Sequence, residues 1–480
     1  MAPAAVLSVE ETRQTFAKTR ARHHLHADVD VWLDTLEAPM SDDPPSLEEV
    51  TQAVFAMRQE WTGKITESLV AQRHAQVLQQ RTWACPHCQR LLAARPAPPR
   101  TGHTMVGEVS LARPYVYCMP CQQGFSPVDE ALQRSERRTP WDRQQAGARV
   151  AAAVPFETAQ ELFAALTGRS LSDPPVHAVA GELSHELGVL EVSPTAAEIA
   201  HRVAEMAAGK TWRPVLVLAI DGALVPTRPE QAKGPVAGRR HTRARRASWP
   251  GEWQEAKGLR VSRVERERIV PLLSWYQVHQ DEDVGAALRR VQEAGLIPEA
   301  QVRMCVLGDG AKWIWHQVSA LFPTAVQILD YDHGREHVHQ GASRQFGEDT
   351  GQEQEWVEAM MARLFWGYVP WAIEGLEALQ PRDAQAAEEI RQLIGFLRNR
   401  ERRLHDRTAR KGGDPIGRGG IEAANKCMSH VRFKRSGAWW YVEKANHMLA
   451  LRWAKDNGTF ERVFEAYKRR ALHRHRSDPP

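Results

Sequence analysis

Carboxylates that follow apolar stretches are the residues of this 480-residue sequence whose types and spacing could do chemistry. The runs VLVLAID, VRMCVLGD and AVQILD end at Asp221, Asp309 and Asp330, and a glycine follows the first two aspartates. Short apolar runs bounded by a breaker predict buried strands. A carboxylate where a buried strand ends is costly to bury without a partner or a metal ion. The three aspartates therefore indicate a site at one end of a sheet rather than core packing.

Glu422 extends this set, because it begins a predicted helix directly after the glycine-rich loop DPIGRGG. If Asp221, Asp309 and Glu422 converge, their like charges need divalent cations to stabilise them. Hard oxygen ligands suit Mg²⁺ or Mn²⁺. Two such ions about 3.5–4 Å apart would activate an attacking water or 3′-hydroxyl at a phosphodiester. The alternative is that each carboxylate lies alone in an ordinary turn.

A second metal site is predicted from two CxxC pairs, Cys85-Pro-His-Cys88 and Cys118-Met-Pro-Cys121. Two such turns can place four thiolates around one tetrahedral Zn²⁺, as in a zinc ribbon. The gap between the pairs is long for this arrangement but can hold one hairpin. A redox pair is the alternative, which two pairs make weaker. Four thiolates leave no open coordination position, so the zinc is predicted to be structural.

Basic residues are clustered although the net charge is only +4. The clusters are RRHTRARR from Arg239, RNRERRLHDRTARK from Arg398 and KRRALHRHR from Lys468. Such clusters are typical of proteins that bind nucleic acid, although a solvated surface is the alternative for each one. The predicted DNA contacts are Arg239, Arg240, Arg243, Arg245, Arg246, Lys312, Lys426, Arg432, Lys434 and Arg435.

The elements that must position these residues follow from apolar periodicity. Strands are predicted at Val215–Asp221, Ala223–Thr227, Trp253–Val264, Ile269–Val278, Val302–Gly308 and Ala325–Leu329, with helices at Asp283–Ala294 and Ala311–Leu321. A meander of strands followed by alternating helix and strand is the order expected of an α/β, RNase H-like sheet with antiparallel and parallel parts. Gln354–Leu404 has only helical patterns, which predicts a helical insertion, and Val442–Lys455 is predicted as the final helix.

Helices are also predicted upstream of the strands. Ser46 is expected to cap a helix over Ser46–Gln80, with Glu48 and Glu49 in its first turn. Phe156–Gly188 is compatible with two helices around a turn at Gly168, which could be a helix-turn-helix or an ordinary helical hairpin. Hydrophobic residues make up 42% of the chain, yet no apolar run is long enough for a membrane span. The charged first thirty residues do not fit a signal peptide, and six cysteines in this spacing favour a reducing cytosol.

Several of these motifs together carry a family resemblance. IDGALVP, WQEAKGLRV, VLGDGAKWIW, ILDYDHGREHVH and IEAANKCMSHVRFKRSGAWW resemble bacterial insertion-sequence transposases of the DDE type, in particular the ISKra family, akin to the Mutator-like group. The resemblance implies an RNase H-like catalytic domain with a helical insertion, in which Asp221, Asp309 and Glu422 match the catalytic triad. Asp330 and His333 match a DxxH feature of the Mutator-like group, where His333 would contact a phosphate, steady the site or serve only structure.

The activity implied is metal-dependent cleavage and joining of transposon-end and target DNA by a cytoplasmic bacterial protein, oligomeric on its DNA. The predicted domains are 1–84 (N-terminal helical region), 85–150 (zinc ribbon and linker), 151–211 (helix-turn-helix-like DNA-binding region), 212–340 (first part of the RNase H-like catalytic domain), 341–415 (helical insertion) and 416–480 (last part of the catalytic domain, with the glutamate helix and a basic tail).

Three alternatives stay open on the sequence. The chain could be a transposase-derived DNA-binding regulator without catalysis, or an RNase H-like nuclease that cuts without joining strands. The stretch His333-Gly-Arg-Glu336-His337 also matches the HxxEH pattern of a zinc peptidase. That pattern is short and the chain has 20 histidines, so a chance match is easy.

Overall fold

The protein is described by a computed structural model that covers residues 9–37, 44–171, 173–228, 251–265, 268–417, 432–434 and 438–477. Its contacts divide the chain into two compact units. Unit 1 comprises Met1–Ala151, Phe156–Val179 and Phe464–Pro480, and unit 2 comprises Ala152–Pro155 and Ala180–Val463. Unit 1 therefore draws on both ends of the chain, and unit 2 is formed by its middle.

Helices and short antiparallel hairpins form the chain up to Ser184. The helices are α1 (Val9–Glu37), α2 (Leu47–Arg73), α3 (Ala75–Gln79), α4 (Pro127–Ala131), α5 (Trp141–Ala153), α6 (Phe156–Thr167) and α7 (Asp173–Ser184). The hairpins pair β1 (Thr82–Ala84) with β2 (Leu91–Ala93), β3 (Arg100–His103) with β4 (Glu108–Leu111), and β5 (Val116–Cys118) with β6 (Gln123–Phe125). Helix α2 begins as predicted, because the Ser46 hydroxyl accepts from the Glu49 amide and the Glu49 carboxylate accepts from the Ser46 amide.

A mixed five-stranded sheet lies at the centre of unit 2, after α8 (Val189–Val192) and α9 (Ala196–Ala207). Its strands are β7 (Val215–Thr227), β8 (Glu252–Glu265), β9 (Arg268–Val278), β10 (Arg303–Gly308) and β11 (Val326–Leu329), arranged in the order β11-β10-β7-β8-β9. Strands β7, β8 and β9 are antiparallel neighbours, whereas β10 is parallel to both β7 and β11. The mixed α/β architecture predicted from the sequence is confirmed.

Helices complete unit 2. They are α10 (Asp281–Glu293), α11 (Lys312–Leu321), α12 (Tyr331–Phe346), α13 (Gly351–Phe365), α14 (Val369–Glu377), α15 (Ala384–Arg400), α16 (Asp406–Lys411) and α17 (Val442–Asp456), and α18 (Phe460–Ser477) then returns the chain to unit 1. Helices α12 to α15 bury their own apolar cluster, which includes Val338, Met360, Leu376 and Leu393. The stretch predicted to be a helical insertion therefore shares its core with α12 and with Leu329 of β11.

Two predicted boundaries are wrong. The predicted segments Val215–Asp221 and Ala223–Thr227 are not two strands but the single strand β7, because its pairing with β8 runs without a break through Gly222. Val442–Asp456 is not the final helix, since α18 follows it and buries Phe460 and Phe464.

Within the described residues, none of the helices is both long enough and apolar enough to cross a membrane.

Candidate functional site

Three aspartates stand in one row across the parallel part of the sheet. In the register of β7, β10 and β11, Gly308 lies opposite Ile220 on one side and Leu329 on the other. The next residue of each segment is an aspartate, namely Asp221, Asp309 and Asp330. The structure therefore brings these predicted residues to the same level on three adjacent segments.

The side chains of this row continue one face of the sheet. Val217, Ala219, Cys305, Leu307 and Ile328 form a single buried cluster. Because alternate residues of a strand share a face, the aspartate that follows each set lies on the face of this cluster. The apolar face thus ends in a row of carboxylates.

Each carboxylate of the row accepts a hydrogen bond from the backbone. The Oδ1 atom of Asp221 accepts from Gly222 N at 2.8 Å, that of Asp309 from Ala311 N at 2.9 Å, and that of Asp330 from His333 N at 2.9 Å. Asp330 is the N-cap residue of α12 and His333 is the third residue of that helix, so the Asp-x-x-His spacing is the spacing of an N-cap interaction. These bonds fix the orientation of the carboxylates.

Burial differs along the row. Asp330 is fully buried and Asp221 is 7% exposed, whereas Asp309 is half-buried. A further acid, Asp406 at the start of α16, is 1% exposed, and burial raises its pKa to about 7, with the charge of Asp330 acting in the same direction. This edge of the sheet therefore concentrates negative charge in a poorly solvated place, which is the situation that a bound cation relieves.

Arg400, at the end of α15, covers the loop after β10. Its Nη2 atom donates to the carbonyl oxygen of Gly310 at 2.7 Å, and its guanidinium carbon lies 4.2 Å from the ring centroid of Phe396. Burial lowers the pKa of Arg400, and the negative charge of Asp309 acts against that shift. A residue of the helical insertion thus holds the backbone that directly follows Asp309.

The two histidines of the HxxEH stretch lie on α12 beside this arginine. Their ring centroids are 4.8 Å apart, and the ring of His337 lies 4.0 Å from that of Phe396. Burial lowers the pKa of His337 to about 4, with His333 and Arg400 acting in the same direction. The Nδ1 atom of His333 lies 3.5 Å from Oε2 of Glu336. Within the described part of the chain these side chains belong to no group of three potential metal ligands.

Metal-ligand geometry distinguishes the aspartate row from the cysteines. Among the described residues, only the four cysteines bring three or more ligand atoms within 4.8 Å of one another. Asp221 and Asp309 supply oxygen donors of the type that Mg²⁺ prefers, on neighbouring segments. Glu422, the third predicted ligand, lies outside the described residues. Tyr331 N, at the start of α12, donates to Ile416 O at 3.0 Å.

The cysteine cluster has the dimensions of a tetrahedral zinc site. The Sγ atoms of Cys85 and Cys121 are 3.9 Å apart, and those of Cys88 and Cys118 are 3.6 Å apart. Zn–S bonds of about 2.3 Å at tetrahedral angles place sulfurs about 3.8 Å apart. The predicted four-thiolate set is therefore brought together, in a geometry compatible with structural zinc.

Local backbone explains how the two CxxC turns converge. Each turn follows or closes a hairpin strand, and each is followed by a glutamine in the left-handed region, Gln89 with φ 56° and Gln122 with φ 54°. The predicted hairpin between the pairs is present as β3–β4. Backbone hydrogen bonding at Cys88 lowers the pKa of Cys85 to about 6, while hydrogen bonding to Cys88 raises the pKa of Cys121 to about 12. Four thiolates cannot share this space without a cation, which a divalent metal would supply.

The predicted DNA contacts have different outcomes. Lys312 is exposed at the first residue of α11, and Lys434 is exposed too. Arg432 does not fit the prediction, because it is 3% exposed and its Nη1 atom donates to the carbonyl oxygen of Val154. The remaining candidates lie outside the described residues, namely Arg239, Arg240, Arg243, Arg245, Arg246, Lys426 and Arg435.

Sequence analysis missed Arg400 and Asp406 as members of the site. Both lie in the basic stretch that begins at Arg398, which was interpreted only as a charge cluster. Two signals could have identified them: Asp406 is an acidic residue that interrupts this basic stretch, and Arg400 stands at the end of a helix. Their partners, however, are distant in sequence.

No protein-family model matches this chain, and no curated protein matches it either.

Proposed function

We propose that this protein is a DDE-type transposase with an RNase H-like catalytic domain, which cuts and joins DNA with divalent metal ions. The observation that carries the proposal is the row of aspartates at one level of the sheet, where Asp221 and Asp309 follow paired residues of neighbouring parallel strands. Sequence motifs around the same residues resemble the ISKra transposases. The order of the sheet, with an antiparallel meander extended by two parallel strands, supports the RNase H-like fold.

In this proposal, Asp221 and Asp309 hold two Mg²⁺ or Mn²⁺ ions together with Glu422. The ions would supply an activated hydroxyl nucleophile and stabilise the leaving oxygen at a phosphodiester. The positive φ of Gly310, 92°, and the lack of a side chain keep the backbone beside Asp309 open. Asp330 fixes the start of α12, and Arg400 holds the Gly310 carbonyl, so both position the loop that carries Asp309.

DNA is the proposed partner, in the form of transposon ends and a target. The exposed Lys312 lies three residues after Asp309, which would place a cation beside the scissile phosphate. The helix pair α6–α7 and the cysteine cluster are further candidate DNA-binding parts, with the zinc ion in a structural role. A homo-oligomer on DNA follows from the resemblance, since two ends must be handled together.

Strand transfer in vitro tests the proposal. The full chain would be incubated with Mg²⁺ or Mn²⁺ and with DNA that carries the repeats flanking its gene. The variant Asp309→Asn removes the charge of one proposed ligand with little change in shape. The matched control is Asp34→Asn, since Asp34 is an exposed carboxylate on α1. We expect joined products with the wild type and the control, and a loss of at least a hundredfold with Asp309→Asn.

Other outcomes would replace the proposal. Metal-dependent cutting without joining would identify a nuclease on the same sheet. Specific DNA binding without either reaction, in wild type and variant alike, would identify a DNA-binding regulator.

A further inference from the structure

Two neighbouring cavities in unit 1 are lined by arginines. The first, of about 210 Å³, lies where the β3–β4 hairpin, the start of α5 and the α6–α7 turn meet, and its lining includes Arg138, Arg143 and Ser170. The second, of about 190 Å³, includes Arg100, Arg134 and again Arg138. Since Arg138 lines both, the two cavities form one feature, which we call the arginine cleft.

The charge of the arginine cleft is unbalanced. Among the described residues, its lining includes the guanidinium groups of Arg100, Arg134, Arg138 and Arg143 and contains no carboxylate. Behind the lining of the second cavity, the Asp129 carboxylate is shared by three arginines at 2.8 to 3.6 Å. Behind the first cavity, Asp142 uses its carboxylate on the backbone amides of Met105 and Arg143. The cleft therefore presents positive charge that these two carboxylates do not neutralise.

Arg143 shows the cost of this arrangement. It is 9% exposed, and its hydrogen-bond acceptors are the carbonyl oxygens of His103 at 3.4 Å and Ser170 at 2.7 Å. Its Nε atom is buried and has no hydrogen-bond partner within the described chain. Burial lowers the pKa of Arg143, and the charge of Asp142 offsets only part of that shift, so a further anion would stabilise this buried cation.

Helix α5 begins beside the arginine cleft. It has 13 residues, and Thr139 and Pro140, which directly precede its first residue, line the two cavities. Amide groups at a helix start attract anions, and in this first turn the Arg143 amide already donates to the Asp142 carboxylate. Arg138 is exposed at the shared wall, where the guanidinium can meet a ligand from solvent. Planar guanidinium groups and a helix start together suit the oxygens of a phosphate.

We propose that the arginine cleft binds phosphates of a DNA backbone and that Arg138 is its solvent-facing contact. The proposal deepens the DNA-binding part of the proposed function and rests on it. It places a DNA contact in the unit that contains the cysteine cluster, in addition to those predicted at Arg239–Arg246. A free phosphate or nucleotide shares the same chemistry, and the test separates it from DNA.

The test measures DNA binding without catalysis. A fluorescent duplex of about 30 base pairs, longer than the span of one bound module, would be titrated with the full chain in buffer that contains zinc but no magnesium, over a series of salt concentrations. The variants are Arg138→Gln and Arg138→Glu, since Arg138 is exposed and its loss leaves the buried contacts of Arg143 in place. Arg81→Gln is the matched control, because Arg81 is exposed in unit 1 and lines neither cavity.

We expect Arg138→Gln to weaken binding about fivefold at about 0.15 M salt and to lower the slope of log affinity against log salt by about 0.9, the value of one phosphate contact. Arg138→Glu should weaken binding further, and Arg81→Gln should change neither quantity. An unchanged affinity and slope in both Arg138 variants would overturn the proposal. A second outcome would also overturn it: millimolar inorganic phosphate raises the melting temperature of the wild type but not of the Arg138 variants, while all of them bind DNA with the same affinity. That result would identify a site for small anions. Strand transfer does not enter these results, so a failure of catalysis would leave them interpretable.

Discussion

Gly310 joins the proposed catalytic aspartate to the helical insertion, and its replacement by alanine tests that connection. Its φ of 92° lies in the left-handed region, where a β-carbon is disfavoured. A β-carbon built there would lie 2.3 Å from Nε of Arg400 and 3.0 Å from a methyl group of Leu329. Gly310→Ala should therefore strain the backbone and also displace the Arg400 side chain.

The two effects can be estimated separately. The left-handed backbone costs about 1–2 kcal/mol for a residue with a β-carbon. A displaced Arg400 loses its hydrogen bond to the Gly310 carbonyl oxygen, and a hydrogen bond from a charged group contributes about 1.5–3 kcal/mol. We expect Gly310→Ala to lower the free energy of unfolding of unit 2 by roughly 2.5–5 kcal/mol.

Hydrogen exchange measured by mass spectrometry on the peptide that contains Arg303–Gly308 follows unit 2 alone. Gly458→Ala is the control for backbone strain, because Gly458 has a φ of 74° and a β-carbon added to it would meet no atom of the described chain within 4 Å. It should cost about 1–2 kcal/mol. Gly395→Ala, in the same helix as Arg400 and with equally open space among the described residues, should stabilise by about 0.5–1 kcal/mol.

Equal costs for Gly310→Ala and Gly458→Ala would refute the role given to Arg400. The double variant sharpens this result. In an Arg400→Ala background, Gly310→Ala should cost only the backbone part, about 1–2 kcal/mol. If Gly310→Ala destabilises the Arg400→Ala variant as much as the wild type, the destabilisation comes from Leu329 or from the backbone alone.

Three further predictions concern the cysteines, a buried acid and a helix cap. Cys88→Ser should reduce bound zinc, measured by elemental analysis, from one ion per chain to well below one, whereas Cys305→Ala should leave the zinc content unchanged because Cys305 is not in the cluster. The folded protein binds the proton of Asp406 more tightly than the unfolded chain, so the free energy of unfolding should fall by a few kcal/mol as the pH rises from about 4 through its pKa of about 7. Asp406→Asn should flatten that decline in thermal unfolding measured between about pH 4 and pH 7, the interval between the unfolded and folded pKa values, and an unchanged decline would exclude Asp406 as its source. Ser46→Ala should destabilise α2 by about 1 kcal/mol, seen as faster exchange of its first-turn amides, including that of Glu49.

The sequence was sufficient for elements with strong periodicity. Strands β10 and β11 were predicted to within one residue, because apolar runs bounded by glycine or proline have few other stable forms. The sequence was insufficient where strand pairing or side-chain burial determines the structure. β7 continues past Asp221 because β8 pairs with it, and no local signal at Gly222 records that partner. Helix α18 carries apolar residues at helical spacing, but its basic residues favoured the interpretation as a tail.

In the candidate site, too, residues with a local sequence signal could be predicted, and residues that depend on distant contacts could not. Asp221, Asp309 and Asp330 could be predicted because each follows its own apolar run. Arg400 could not, because its contact with Gly310 joins residues ninety positions apart and depends on how the helical insertion packs. Arg432 was predicted as a solvent-facing cation from charge alone, but charge does not reveal that the side chain is buried.

Unit 1 uses both ends of the chain, and this has a consequence for synthesis on the ribosome. Within unit 1, Trp141 packs edge-on against Phe464 and Tyr467 of α18, at ring distances of 6.4 and 6.0 Å. These partners are translated only after the whole of unit 2, more than 320 residues after Trp141. At roughly 5–20 residues per second, the first-made part waits about 15–60 s for its last helix. During that interval Trp141 lacks its aromatic partners, so a nascent chain stalled before Phe464 would expose an apolar surface to chaperones and proteases.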